Sequence, residues 1–362
     1  MLRFYMKSFK TWVFVILGIV ALVAFGVIFP SGCNSFEVSG LHIVRPLEKP
    51  PTLEDIRVVS SREIDCIFSN PVEVSILYIQ SIDDESYKED CLYSCDEEGK
   101  LTITLPKATE IGKEYKICGV VENSEKSSLT FSFDFMGQND HRAALVLSEI
   151  RDGYSSKKPE CEFIELYVLS DGNTAGYEIY SAYDGEAKSY QFPPMEVKKG
   201  EYITVHLRDM GEDCVDEIGD NVKLNKNISD TCSTSRDLFA KDSVAHLGAD
   251  NDVILLQNFE SKEVYDAICY AKMSKLEGFD WKKIALKEAA SRAVEAGVWT
   301  GDSIEDAVNA DGLTLTHSLA RQNLKNLKDA SFPYPNGKEY WILTENRKAI
   351  TPGKANSSSM KK

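Results

Sequence analysis

Three aspartates at short intervals, Asp213, Asp216 and Asp220, are the first residues whose type and spacing could do chemistry. Carboxylate oxygens are the ligands that Ca²⁺ prefers, and a polar loop can fold several of them around one ion. Their spacing does not match an EF-hand loop, and a solvated acidic loop explains the same residues. The sequence therefore offers calcium here as an alternative, and it predicts no other metal site and no cofactor.

The five histidines are scattered along the chain and show neither H-x-H nor H-E-x-x-H spacing, at positions 42, 141, 206, 246 and 317. His246 precedes Asp250 and Asp252, so a distant serine could in principle complete a triad. Triads are recognised by geometry, however, and a Gly-x-Ser-x-Gly elbow is absent from the sequence. We predict no catalytic residues and a protein that is not an enzyme.

Aromatic residues are numerous in the middle of the chain, at Tyr177, Tyr180, Tyr183, Tyr190, Phe192 and Tyr202. Exposed aromatic rings on the edges of a β-sandwich can stack on glycans or on partner proteins. Alternating aromatic residues in strands more often build a core. The sequence therefore predicts a protein or glycan ligand without identifying it.

The first 33 residues predict export. Arg3, Lys7 and Lys10 precede an uncharged apolar run at 11–29, and small residues then lead to Cys33. A basic start, an apolar middle and small residues before a cut point are typical of an export signal. The basic end stays in the cytoplasm, so the remainder is translocated.

Three interpretations of this leader stay open. Ser31-Gly32-Cys33 resembles the lipobox of a bacterial lipoprotein, in which the cysteine is lipidated, although Pro30 stands where leucine is usual. The run at 11–29 is also just long enough to be an uncleaved membrane anchor, or it is a cleaved secretory signal. A buried helix is disfavoured because the run has no polar face. The first two interpretations tether the protein to a membrane.

The charge balance excludes one class of partner. The chain has 362 residues with 41 basic and 57 acidic side chains, giving a formal net charge of −16. A body this acidic is repelled by phosphate backbones, so we predict no nucleic-acid binding. An apolar content of 43 % indicates globular domains, and the length allows two or three of them.

Eight cysteines remain when Cys33 is set aside for lipid, and an even number in an exported chain suggests disulfides. Cys66 and Cys118 lie on two predicted strands about fifty residues apart, the separation of facing strands in an immunoglobulin-like sandwich. We predict this pair, with two independent buried thiols as the alternative. A second bridge, between Cys214 and Cys232, could close the acidic loop.

Two β-sandwiches must position these residues. Residues 34–50 form a tether, and Pro50-Pro51 marks a domain start. Period-two alternation in residues 51–137 predicts a first sandwich, similar to immunoglobulin or fibronectin type III modules. The predicted strands are 56–59, 63–68, 74–79, 101–105, 115–121 and 129–135.

Residues 143–356 carry an ordered set of short motifs, namely LSEI at 147–150, EFIEL at 162–166, GY at 176–177, GEY at 200–202, DVILL at 252–256, VYDA at 264–267, SLAR at 318–321 and TPGKAN at 351–356. The set resembles the lamin tail domain, an immunoglobulin-like β-sandwich of nuclear lamins and of many exported bacterial proteins. Tyr177 stands where that family has tryptophan. The resemblance implies a second sandwich with a role in binding, adhesion or scaffolding.

Two insertions enlarge this second sandwich, at 207–247 and 271–316. Residues 281–296 are rich in helix formers and predict a helix. Its apolar face is expected at Trp281, Ile284, Ala285, Ala289, Ala293 and Ala296. Residues 357–362 form a tail.

The sequence thus predicts an all-β protein, with two immunoglobulin-like β-sandwich domains behind an N-terminal apolar signal or anchor and a small helical insertion in the second. The function that fits is a membrane-tethered, non-enzymatic cell-envelope protein of a bacterium, facing the periplasm or the cell surface. The alternative is an exported hydrolase or the accessory subunit of one.

Overall fold

The computed structural model describes residues 49–84, 86–155, 157–185, 189–208, 214–240, 246–275, 280–281 and 283–361. The predicted export leader and Cys33 lie outside these residues. The described residues belong to one compact unit, Lys49–Lys362. None of its described helices is long and apolar enough to span a bilayer.

Eight strands build the first sandwich, and they are β1 (Leu53–Ser60), β2 (Glu63–Phe68), β3 (Glu73–Ser81), β4 (Lys88–Asp90), β5 (Leu92–Cys95), β6 (Lys100–Thr104), β7 (Glu114–Glu122) and β8 (Ser128–Met136). They form two four-stranded sheets, in the orders β1-β2-β6-β5 and β4-β3-β7-β8. All neighbouring strands run antiparallel.

Alternation places one face of each sheet in a shared core. Ile64 and Phe68 from β2 pack in the same buried cluster as Ile79 from β3 and Ile117 from β7. The six predicted strands are therefore confirmed. The two strands that the sequence did not predict, β4 and β5, have only three and four residues and mostly exposed side chains, so they carry little periodic signal.

The described residues of the second part form thirteen strands. They are β9 (Leu145–Arg151), β10 (Phe163–Val168), β11 (Gly172–Asn173), β12 (Tyr177–Ser181), β13 (Tyr190–Gln191), β14 (Glu196–Val197), β15 (Tyr202–His206), β16 (Arg236–Phe239), β17 (Asn251–Asn258), β18 (Val264–Ala271), β19 (Val308–Asn309), β20 (Leu319–Arg321) and β21 (Trp341–Leu343). Short 3-10 helices connect them at Pro159–Cys161, Met273–Lys275, Ile304–Asp306, Leu324–Asp329, Lys338–Tyr340 and Arg347–Ala349.

Two large sheets face each other across the second core. Their orders are β16-β15-β10-β9-β20-β21 and β13-β12-β17-β18-β19, and β11 pairs with β14. Ile164 and Ile203 from the first sheet share one buried cluster with Ile179 and Ile254 from the second. The expected all-β fold class is confirmed.

The insertions are built into this fold. The first adds β16, which runs parallel to β15 and extends its sheet. The second contains the α-helix α1 (Ile284–Glu295), which packs against β17 and β18. Its buried face is Leu286, Ala289, Ala290 and Ala293. Ile284 is 78 % exposed, so the predicted face was wrong at that position.

Candidate ligand-binding cleft

A cleft of about 480 Å³ lies where the first sandwich meets the second. This volume falls within the range of about 300–1,000 Å³ that small-molecule pockets usually have. From the first sandwich and the linker come Gly112, Met136, Gly137, Gln138, Asn139 and Arg142. The second sandwich contributes Ala175, Gly176, Tyr177, Tyr190, Gln191, Phe192, Pro193, Pro194, Asp216, Phe239, Asn258, Phe259 and Glu260.

Aromatic rings form one wall of the cleft because β12 and the short edge strand β13 run side by side. The backbone N–H of Phe192 donates to the carbonyl of Tyr177 at 3.0 Å. Tyr190 and Phe192 pack edge to face, with ring centroids 5.3 Å apart. Pro193 and Pro194 follow directly and have no N–H to extend the ladder, so β13 ends there and leaves the rings at the cleft.

Arg142 lies in the linker before β9, and its positively charged guanidinium sits beside Tyr177, the first residue of β12. Its guanidinium lies 5.7 Å from the ring centroid of Tyr177 and 5.1 Å from that of Tyr265, and Nη1 donates to the Tyr265 hydroxyl. Its Nε is buried and has no hydrogen-bond partner in the described part of the chain. Such stacking on aromatic faces orients a guanidinium without neutralising it.

Asp216 places a carboxylate at another part of the cleft. Its Oδ1 accepts the backbone N–H of Phe239 at 2.8 Å. Burial raises the pKa of Tyr190, and the negative charge of Asp216 raises that pKa further. The cleft therefore combines an apolar aromatic wall with a cation beside Tyr177, an anion beside Tyr190 and the exposed carboxylate of Glu260.

The predicted aromatic cluster divides in the structure. Tyr177, Tyr190, Phe192 and Tyr180 all belong to the second core, and the first three also line the cleft. Two rings lie elsewhere, since Tyr183 is covered by the Lys283 ammonium at 3.6 Å and Tyr202 packs on Tyr167 at 4.9 Å. Sequence reasoning missed Arg142, which sits in the linker where no periodic pattern marks it.

The three aspartates predicted as calcium ligands do not assemble in the described part of the chain. Asp213 lies outside the described residues, Asp216 lines the cleft, and Asp220 lines a separate surface cavity of about 590 Å³. Asp216 also uses one oxygen to hold the Phe239 backbone. Because Asp213 lies outside the described residues, the calcium site at these three aspartates stays a prediction.

One other group of described residues brings three potential metal ligands together, Glu160, Cys161 and Asp230. The Cys161 thiol donates to Asp230 Oδ2 at 3.2 Å, and Arg151 Nη1 donates to the same oxygen at 2.9 Å. Burial raises the pKa of Cys161 to about 11, so the thiol stays protonated at neutral pH. These contacts form an ion pair between Arg151 and Asp230, to which the Cys161 thiol also donates a hydrogen bond.

No disulfide joins any of the eight cysteines that the structure describes. Cys66 points into the first core, whereas Cys118 lies on the outward-facing side of β7, between the buried Ile117 and Gly119. The predicted Cys66–Cys118 bridge is therefore not formed. Cys214 and Cys232 are both buried but are not bridged, and the Cys232 sulfur donates to the Gly353 carbonyl at 3.6 Å.

Three described histidines have acidic partners. His141 Nε2 lies 3.1 Å from Glu196 Oε2, and both residues line the same surface cavity as Asp220. His206 and His246 line none of the described cavities. His206 is fully buried, with Nδ1 2.9 Å from the Glu160 carbonyl and Nε2 3.1 Å from Asp237 Oδ1. His246 Nδ1 lies 3.4 Å from Asp184 Oδ2. Because His206 is sealed from solvent between Phe163 and Phe239, it cannot reach a substrate in this conformation.

A buried polar network brings together motifs that lie far apart in the sequence. Glu149 and Glu165 are neighbours across β9 and β10, and both are completely buried. Ser318 donates to Glu149, and Ser148 donates to Glu165 at 2.7 Å. The residues come from the LSEI, EFIEL and SLAR motifs.

Residues 351–356, called the closing segment below, cover these two carboxyl groups. The backbone N–H of Thr351 donates to Glu149 at 3.0 Å, and that of Gly353 donates to Glu165 at 2.5 Å. Asn356 Nδ2 donates to the Ser148 carbonyl at 2.9 Å. The network is closed to solvent, so it acts on folding and not on a substrate.

Comparisons with known proteins find relatives of the second sandwich. A family model described as TP_1001_2nd, protein second domain, matches residues 143–343, which is more than half of the chain. A protein of Treponema pallidum (strain Nichols), described as uncharacterized, is 26 % identical over 194 residues. That match covers 52 % of this chain and 48 % of the relative, so the chain spans about half of the relative's length.

Solved structures give only distant similarity. A DUF4876 family protein from Bacteroides thetaiotaomicron shows 9 % identity and a TM-score of 0.29, covering 77 % of this chain and 90 % of its own. The N-terminal part of the bacterial S-layer protein SbsC shows 12 % identity and a TM-score of 0.24, covering 62 % and 44 %. Scores this low assign neither fold nor function.

Proposed function

The chain belongs to the TP_1001_2nd family, and we propose that it is an exported, membrane-tethered cell-envelope protein that binds a small molecule, without transforming it, in the cleft between its two sandwiches. The lamin-tail-like architecture of the second sandwich is part of this proposal. The family description names a domain and no activity, so the argument comes from the residues of this chain.

The observation that carries the binding role is the cleft itself. Tyr177, Tyr190 and Phe192 are buried behind its surface, while Gln191 and Glu260 on its rim are exposed. Pockets of this kind, apolar inside with a few polar groups at defined positions, hold ligands by burying apolar area and orient them with the polar groups. Each aromatic contact adds about 0.5–1.5 kcal/mol beyond its buried area.

The acidic groups of the second sandwich support a binding role over a hydrolytic one. Glu149, Glu165 and Asp237 are all at most 1 % exposed, and each is occupied by hydrogen bonds to neighbouring strands or to the closing segment. A general acid or base must come within hydrogen-bond reach of its substrate. These carboxyl groups instead hold elements together.

The neutral dye N-phenyl-1-naphthylamine tests the cleft, because its fluorescence rises when its rings enter an apolar site. Residues 49–362 contain both cores, and a cooperative thermal melt verifies that they fold. Gln191→Trp adds a ring at an exposed cleft position and should weaken dye binding at least tenfold. Leu92→Trp is the matched control, since Leu92 is 74 % exposed on β5. Wild-type protein that does not bind the dye, or equal binding by both variants, overturns the proposal.

Membrane tethering has its own experiment in the full chain. Metabolic palmitate labelling of wild type beside Cys33→Ala should show label that disappears with the substitution, together with wild-type protein in the membrane fraction. Label that survives in Cys33→Ala would refute lipidation at this cysteine. Wild-type protein recovered only in the soluble fraction would refute tethering altogether.

A further inference from the structure

Arg142 is half-buried, and its contacts differ from those of the other arginines around the second core. Arg151, Arg236 and Arg321 are buried and each contacts a carboxylate, as does the half-buried Arg208. Arg292, also half-buried, donates to the Gln257 amide oxygen and to the Lys262 carbonyl. Arg142 contacts only aromatic rings and the Tyr265 hydroxyl, and no carboxylate pairs with it in the described part of the chain. In a protein with a net charge of −16, acidic side chains outnumber basic ones, so this open charge is not explained by a lack of partners.

The unused hydrogen-bonding capacity of Arg142 also indicates that this residue can bind a ligand. A guanidinium carries five N–H donors. Its buried Nε has no acceptor among the described residues, and a buried donor without an acceptor costs about 1–3 kcal/mol. Arg142 as a whole is half-buried and lines the cleft, so a ligand oxygen there can approach the accessible part of its guanidinium. The rings of Tyr177 and Tyr265 hold the guanidinium plane in place, so little entropy is lost on binding.

The remaining charges of the cleft limit how many anionic groups a ligand can carry. Asp216, which lies beside Tyr190 and Phe239, and Glu260, in the loop after β17, also line the cleft. Both are carboxylates and repel a second anionic group. Tyr177, Tyr190 and Phe192 also line the cleft, and their rings favour a planar or apolar body.

We propose that the cleft selects an organic monoanion, with an apolar and preferably planar body against Tyr177, Tyr190 and Phe192 and with its single anionic group bound by Arg142. This inference rests on the proposed function, because it names the class of ligand for the same cleft. A charge-assisted hydrogen bond to a preorganised guanidinium makes Arg142 the residue that determines specificity.

Two dyes with the same ring framework test this selection. 1-Anilinonaphthalene-8-sulfonate carries one anionic group, and N-phenyl-1-naphthylamine lacks it. The ratio of the two affinities isolates the contribution of the anionic group, since the apolar contacts cancel. We expect Arg142→Gln to lower this ratio roughly tenfold, as the loss of one charged hydrogen bond predicts. The Gln191→Trp substitution should weaken binding of both dyes.

Arg62→Gln is the matched control, because it removes the same charge from an exposed position on the first sandwich. Binding of the neutral dye by Arg142→Gln shows that its cleft is intact. An equal ratio in wild type and Arg142→Gln, or an equal drop in Arg62→Gln, overturns the monoanion proposal while the cleft remains a binding site. Failure of both dyes to bind wild type overturns the proposed function itself.

Salt dependence keeps the test decisive if Arg142→Gln does not melt cooperatively. Wild-type affinity for the sulfonate should fall as NaCl is raised from about 20 mM to about 500 mM, whereas affinity for the neutral dye should not fall. Equal salt responses of the two dyes overturn the inference.

Discussion

Glu149 and Glu165 lie directly opposite each other on β9 and β10, and both carboxyl groups are completely buried. The register shifts at this point, so that Ser148 has no partner on β10 and its hydroxyl turns to Glu165. Two acids at this separation cannot both ionise without strong repulsion. The pair is therefore a source of pH-dependent stability.

The first prediction is that the protein is more stable at pH 5 than at pH 8. Burial raises the pKa of Glu149 to about 7, and burial together with the Glu149 charge raises that of Glu165 well above its usual value. The folded state therefore binds more protons than the unfolded state once the pH exceeds about 4.5, so stability falls with rising pH, by about 1.4 kcal/mol per pH unit for each group. The loss from Glu149 is complete above about pH 7.

Thermal melts of wild type and Glu165→Gln between pH 5 and pH 8 check whether stability falls as the pH rises. The variant should lose part of the pH dependence, because the remaining Glu149 no longer faces a second acid. Glu98→Gln, at an exposed turn of the first sandwich, should melt like wild type at every pH. Melting temperatures that rise toward pH 8 in wild type would contradict the prediction.

The second prediction concerns the turn of the closing segment. Gly353 has φ +74°, and a Cβ there would lie 1.9 Å from Ser235 Oγ and 2.4 Å from Cys232 Cβ. Gly353→Ala should therefore destabilise the protein by about 2–4 kcal/mol in urea unfolding, through backbone strain and overpacking together. Gly200→Ala is matched in backbone, with φ +91°, but has open space around the added methyl.

Gly200→Ala should cost only about 1 kcal/mol, since it meets backbone strain alone. The difference between the two alanine variants measures how tightly the closing segment is packed. Equal destabilisation would mean that residues 351–356 do not press on Cys232 and Ser235.

The third prediction concerns a buried ion pair that joins the two large sheets. Arg321 Nη1 donates to Asp266 Oδ2 at 2.8 Å, and neither residue is exposed to solvent. Burial raises the pKa of Asp266 in spite of Arg321, so the carboxylate depends on this partner to stay charged. Arg321→Met should cost about 3–5 kcal/mol because it leaves a buried charge uncompensated.

A double-mutant cycle in urea measures this dependence. Arg321→Met combined with Asp266→Asn should be less destabilised than the sum of the two single variants, because the pair is removed together. Lys113→Ala breaks an exposed ion pair with Glu110 and should change stability by less than about 1 kcal/mol. Strictly additive effects at Arg321 and Asp266 would show that the two residues act independently.

Strand alternation in the sequence predicts much of the fold, and it also predicts which way single residues such as Cys118 face. In β7 the inward positions are Tyr115, Ile117 and Val121. Because side chains alternate along a strand, Cys118 faces outward, and this excludes a bridge to the core residue Cys66. The helix of the second insertion was also predictable. Its buried face was not predictable. Leu286 and Ala290 are buried because the helix packs on β17 and β18, which come from elsewhere in the chain.

The candidate site was predictable only in part. The aromatic residues Tyr177, Tyr190 and Phe192 stood out by type and spacing, but Arg142 is a single basic residue in a linker. Its importance arises where the first sandwich meets the second, because no carboxylate among the described residues pairs with it there. The pairing of Glu149 with Glu165 likewise depends on a register shift that no local pattern encodes.

The position of the closing segment also constrains how the protein is made. The first sandwich is complete once residue 136 has been synthesised, whereas β9 and β10 begin the second sandwich near residue 145 and are covered only by residues 351–356. About two hundred residues of nascent chain must therefore emerge while Glu149 and Glu165 still face water. A product that stops short of Thr351 would lack the backbone N–H groups of Thr351 and Gly353 that these carboxyl groups accept in the complete fold.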